Sequence, residues 1–78
     1  MQELIEYTAR SLVDNPDQVT VRQFRKGSRV KLELRVARED MGRVIGKGGK
    51  VANALRVLLR VAAARGGNQA ILHIIEPE

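Results

Sequence analysis

The run Gly46-Lys47-Gly48-Gly49 puts three glycines and a lysine in four consecutive positions, and Lys50 follows directly. Little side chain shields this backbone, so its N–H groups are open to an acceptor. When such a loop closes on the N-terminus of a helix, N–H donors, the positive end of the helix dipole and lysine charge converge on one anion. The chemistry these residues suit is phosphate binding, not bond breaking. A nucleotide-hydrolysing loop needs G-x-x-x-x-G-K-[ST] after a strand; here Gly42 and Gly46 stand one residue too close, and glycine follows Lys47. The run also fails the dinucleotide fingerprint, G-x-G-x-x-G directly after a strand. His73 is the sole histidine, set between Leu72 and Ile74 with no second ligand or base beside it in sequence, and is expected to be structural. No catalytic constellation, metal site or cofactor is expected, and the chain is not read as an enzyme.

The flanking residues are those needed to hold this loop. Asp40, preceded by Glu39, suits the N-cap of a short helix with Val44 and Ile45 on its apolar side. Gly46 and Gly49 permit backbone angles that reverse the chain. A long helix is predicted from Lys50 to about Arg65, stopped by Gly66-Gly67. On it, Val51, Leu55, Leu58, Leu59 and Ala62 form one apolar stripe, and Ala54, Val57, Val61 and Ala64 form a second beside it. Such a wide apolar surface exceeds what one sheet can cover.

Upstream, Leu4, Ile5, Thr8, Ala9, Leu12 and Val13 recur at helical spacing until Asn15-Pro16 ends the helix. Val19 to Lys26 is expected to be a strand, turning at Gly27-Ser28 into Arg29–Val36. There Val30, Leu32, Leu34 and Val36 alternate with charged residues, so one sheet face is solvated and the other covered by helices. A last strand spans Ala70 to Ile75. The order is α-β-β-α-α-β, an α+β domain of two layers, with a three-stranded mixed sheet packed by three helices. The second and third strands are joined through two helices, which permits parallel pairing by a right-handed crossover.

Seventy-eight residues make one small domain. The absence of cysteine suits a reducing cytoplasm, and the acidic first 18 residues do not suggest a signal peptide. No run reaches the ~18 apolar residues of a membrane span. The net charge of +5 is unevenly spread: residues 19–38 carry seven bases and one acid, and residues 41–75 carry six bases and no acid. A basic tract through the glycine loop is what a polyanion binder requires.

Ile45-Gly46-Lys47-Gly48-Gly49-Lys50-Val51 resembles the Ile-Gly-x-x-Gly signature of the KH domain, whose GXXG loop clamps about four nucleotides of RNA or single-stranded DNA. The element order matches the type II KH arrangement, so the resemblance extends over about residues 1–76. The core would span about residues 29–76, and residues 1–28 would add a helix and a strand. The chain is similar to small bacterial single-KH-domain proteins of the KhpA type. That resemblance implies a groove between the helix–GXXG–helix unit and a sheet edge. Gly46, Lys47, Gly48 and Gly49 would form the backbone clamp, with Arg43 and Lys50 pairing with phosphates. Val44, Ile45 and Val51 would make the apolar floor, although the same residues also suit plain core. Arg38 and Arg56 would extend the basic track. Gly48, at the second variable position of the loop, supplies no side chain, so Lys47 alone carries charge inside it. The resemblance further implies a cytoplasmic RNA chaperone or post-transcriptional regulator, in some bacteria affecting cell shape. It would act as a homodimer or a heterodimer with a Jag-type KH protein.

Tyr7 and Phe24 are the only aromatics, and neither is near the loop in sequence. Without base stacking, binding by one domain is expected to be micromolar or weaker, salt-dependent and poorly selective. A rival reading makes the long helix the working surface. The stripe Ala54, Val57, Val61 and Ala64 would then associate with another helix, and RNA binding would be secondary.

Overall fold

The alternation in Arg29–Arg35 produces the central strand of the sheet. In the computed structural model, which describes residues 1–77, this strand (β2) buries Val30, Leu32 and Leu34 and turns its charged residues outward. β1 (Thr20–Lys26) pairs with it antiparallel, with Lys26 opposite Arg29 across the turn. β3 (Gln69–Ile75) pairs with its other edge in parallel, from Arg29–Gln69 to Arg35–Ile75. The sheet is mixed, in the order β1-β2-β3. Val19, expected to open the first strand, lies just outside it but is buried, as is Val36 at the end of β2.

Helices α1 (Gln2–Leu12), α2 (Met41–Ile45) and α3 (Lys50–Arg65) cover one face of this sheet. Ile5 and Ala9 anchor α1 in the core, and the Gln2 amide donates to the Val21 carbonyl at 2.9 Å. The core-facing stripe of α3 is Ala52, Leu55, Leu59 and Ala63, rotated from the predicted one. Val51 and Ala62 are half-buried at its margin, and Leu58 faces solvent. Two alanines at the contact let the helix axis approach the sheet closely, whereas leucine at both positions would hold it off. The second stripe is outside, with Val57, Leu58 and Val61 respectively 50%, 44% and 53% exposed. No helix among the described residues is long and apolar enough to cross a membrane.

The predicted cap of α2 takes a different form. Asp40 is buried and makes no side-chain cap to its own helix. Its carboxylate accepts instead from the Asp14 amide at 3.1 Å, the Asn15 amide at 3.0 Å and the Asn15 side chain at 2.9 Å. It therefore ties the segment after α1 to the start of α2, satisfying backbone groups 25 and 26 residues away. Burial pushes this carboxyl upward. The Asn15 side chain, the Asp14 and Asn15 amides and the nearby Arg43 outweigh that effect and hold its pKa below the ordinary 3.8.

Candidate nucleic-acid interface

The glycine loop is built by three positive-φ residues, Gly46 (76°), Gly48 (65°) and Gly49 (78°). Gly46 ends α2, and residues Lys47–Gly49 make a single 3-10 turn before α3 starts at Lys50. Gly46 is held from two sides. Its ψ of 169° with positive φ is a conformation essentially reserved for glycine. A Cβ there would also stand 2.5 Å from Val51 Cγ2 and 2.8 Å from the Val51 backbone nitrogen. Gly48 differs, since a Cβ on it would meet nothing within 4 Å. The loop thus has one packed glycine at its base and one open to solvent at its tip. No side chain caps the N-terminus of α3, whose cap position is Gly49. Lys47 and Lys50 are exposed and have no acidic partner among the described residues.

Beside the loop runs an open cleft of about 550 Å³. One wall is Met41 and Ile45 of α2, Gly49, and Ala52 and Arg56 of α3; the other is Ile74, Ile75 and Glu76 at the free edge of β3. The walls follow from helix geometry: Met41 and Ile45 are i, i+4 neighbours on α2, as are Ala52 and Arg56 on α3. Arg56 also donates to the Leu72 carbonyl at 3.4 Å, satisfying an acceptor on the unpaired edge of β3.

The structure distributes the sequence-derived candidates unevenly. Gly46, Lys47, Gly48, Gly49 and Lys50 are together in the loop, and Ile45 and Arg56 line the cleft. Val44 has no exposed surface and belongs to the core. Val51 turns to a second groove, between α1 and α3, with Leu12, Ala54 and Leu58, and Lys50 lines that groove as well. Arg43 is drawn off toward α1, where it pairs with Asp14 at 3.0 Å and approaches Asp40 at 3.8 Å. Arg38 donates to the Pro77 carbonyl at 3.5 Å, near the chain end. Missing from the sequence reading were Met41, Ala52, Ile74, Ile75 and Glu76. Only the pairing of β3 beside β2 brings the last three opposite α2, and no local pattern announces that.

A family model described as the KhpA/KhpB KH domain matches residues 2–74. A protein named RNA-binding protein KhpA from Treponema pallidum is 48% identical over 75 residues, covering 96% of this chain and 94% of that protein. Proteins of the same name from Caldanaerobacter subterraneus and Clostridium acetobutylicum are 45% and 44% identical, each over 96% of this chain and the whole of the relative. No solved structure matches. A matched sequence of this extent, on a sheet-and-helix frame with GXXG between two helices, is decisive: the chain belongs to the KhpA/KhpB family of KH domains.

Proposed function

We propose that the chain binds single-stranded RNA, without catalysis, in the cleft between the glycine loop and the edge of β3. The observation that carries this reading is a glycine loop bearing two exposed lysines, without an acidic partner among the described residues, that borders a largely apolar cleft through Gly49. The arrangement divides the ligand by chemistry. Phosphates run past Lys47, Lys50 and the uncapped start of α3. Bases lie over Ile45, Met41 and Ala52 against Ile74 and Ile75. Glu76 repels phosphate from the β3 wall but can accept from a base amino group, so it enforces the same orientation. The relatives' name, RNA-binding protein, supports RNA over other polyanions. The unit is a single KH domain over residues 1–78, acting in the cytoplasm as an RNA chaperone or post-transcriptional regulator. With no aromatic in the cleft, affinity is micromolar or weaker and falls steeply with salt.

The test is fluorescence anisotropy with a short labelled RNA, at low and physiological salt, comparing wild type with a Lys47→Asp, Gly48→Asp variant. Position 48 tolerates the change because aspartate is among the residues that visit left-handed backbone, and the space there is open. Circular dichroism checks that the variant is folded. Loss of binding in the folded variant supports the reading; unchanged binding rejects it.

A second reading is favoured by the exposed stripe on α3. Ala54, Val57, Leu58, Val61 and Ala64 leave an apolar face in water, and small residues within it suit close approach of another helix. We propose this face as a dimer interface, with a second copy or a Jag-type KH protein as partner.

A further inference from the structure

The face of the sheet opposite the helices carries its own pattern. Strand register arranges it in rows: Lys26–Arg29–Gln69, Phe24–Lys31–Ile71, Arg22–Glu33–His73 and Thr20–Arg35–Ile75. Five bases, Arg22, Lys26, Arg29, Lys31 and Arg35, share this face with the single acid Glu33. Among the described residues only Lys31 has an acidic partner, Glu33 at 3.6 Å. Lys26 and Arg29 stand directly opposite one another, a like-charge pairing that costs stability in the free protein. An ordinary solvated sheet face balances its signs across strands; this one sets five bases against one acid.

An aromatic sits in the middle of these bases. Phe24 is 42% exposed, and Arg22, two residues back along β1, and Lys31, directly opposite on β2, each lie 5.4 Å from its ring centroid. Beyond Lys31, Ile71 is 56% exposed, and Phe24, Lys26, Arg29, Lys31 and Ile71 are among the residues that line a hollow of about 430 Å³. Strand spacing of about 4.8 Å puts Phe24 and Ile71 roughly 10 Å apart with Lys31 between them, so a base stacked on Phe24 lies over the exposed outer side of the ring with cations beside it. A positively charged track with an aromatic platform is how sheet surfaces take single-stranded nucleic acid without sequence preference. The face is also continuous with the cleft: Ile75 belongs to both, and Ile71 lies about 13 Å from it along β3 at about 3.3 Å per residue.

We propose that this open sheet face is a second contact surface for single-stranded RNA, on which a base stacks against Phe24 while Lys26, Arg29 and Arg22 hold the backbone. It rests on the reading that the loop cleft takes RNA, and it extends that site: a strand leaving the cleft passes Ile75 and continues onto the sheet. RNA of about four nucleotides, the length a KH cleft clamps, fills the cleft alone. RNA of about 12 nucleotides, within the ~4–16 range of single-stranded sites, reaches both.

The experiment measures both RNAs against wild type, Phe24→Ala, a Lys26→Gln, Arg29→Gln variant, and the Lys47→Asp, Gly48→Asp loop variant. The sheet positions are exposed, so these changes leave the core intact. For the sheet variants the short RNA binds as to wild type. Phe24→Ala weakens the long RNA about 5- to 150-fold, the loss of one stacked base. The double glutamine variant lowers the slope of log K against log salt by about 1.4, from two phosphate contacts at about 0.7 each. Phe24→Trp adds a direct reading, since the chain has no other tryptophan: its emission is quenched by the long RNA and not by the short one. Equal long-RNA affinity in wild type and Phe24→Ala, with an unquenched tryptophan, overturns the proposal and leaves this face to an acidic protein surface. Equal weakening of both RNAs by Phe24→Ala overturns it as well, because the cleft has then been disturbed. If the loop variant binds both RNAs normally while the sheet variants lose the long one, the loop reading fails and the sheet surface stands.

Discussion

Gly46→Ala and Gly48→Ala are the same chemical change two residues apart, yet the structure assigns them different costs. At Gly46 the backbone lies in the region with φ 76° and ψ 169°, where a residue with a Cβ costs on the order of 1–3 kcal/mol. The added methyl also meets Val51 at 2.5 Å from Cγ2 and 2.8 Å from the backbone nitrogen. The side chain can turn, but the nitrogen belongs to the first turn of α3 and cannot move without it; overpacking of this kind costs about 1–3 kcal/mol. The sum is about 2–6 kcal/mol, set against about 4–12 kcal/mol for a chain of 78 residues at ~0.05–0.15 kcal/mol per residue. At Gly48, with φ 65° and ψ 19° and open space around it, only the left-handed penalty of about 1–2 kcal/mol applies. Urea denaturation at neutral pH measures both. Gly46→Ala is expected to lower the midpoint much further, with the slope unchanged. Adding Val51→Ala to Gly46→Ala should recover only part of the loss, because the backbone contact remains. Equal, small shifts for the two glycines would refute the argument, since they would mean that the α2–α3 junction yields freely.

Three other outcomes follow from the same geometry. Asp40, with its pKa held below 3.8, contributes stability that is present above about pH 4 and is lost as pH falls through its folded-state value. Asp40→Asn should therefore lower the urea midpoint at pH 7 and flatten the acid limb of the stability curve below pH 4. Arg43→Gln should change RNA affinity less than Lys47→Gln does, because Arg43 already pairs with Asp14 at 3.0 Å whereas Lys47 has no acidic partner among the described residues; anisotropy titrations of the two variants compare them. Val57→Glu or Val61→Glu should reduce the solution mass seen by light scattering while leaving the circular dichroism spectrum intact, as both side chains are about half exposed. A mass unchanged from wild type would remove the interface on α3.

The elements that depend on local pattern were legible in the sequence. The alternation of Val30, Leu32 and Leu34 fixes which face of β2 is buried, and the glycines at 46 and 49 mark the loop. The rotation of α3 was not legible, because apolar residues occupy more of its surface than the sheet can cover. Which side faces inward depends on how closely the helix approaches, and there Ala52 and Ala63 outcompete Leu58. The site divides in the same way. Its loop half is contiguous in sequence and was visible, whereas its β3 wall exists only through parallel pairing. Arg43 looked like a phosphate ligand because it flanks the glycine loop; besides Asp40, three residues before it, it meets Asp14, which arrives from the segment after α1. Phe24 looked irrelevant for lying far from the loop in sequence, and strand register is what sets it among bases.

Each residue of β2 pairs with the one forty positions later, Arg29 with Gln69 and Arg35 with Ile75. That offset has a consequence in time. The β1–β2 hairpin closes across a two-residue turn and can form within about 1–10 μs of being made. The parallel ladder must wait for the intervening helices and for the distant strand itself, the kind of non-local closure that slows folding. Until that ladder closes, a folding chain displays its lysine-bearing turn with no β3 beside it. Any polyanion met then encounters charge before it encounters the apolar wall that distinguishes one ligand from another.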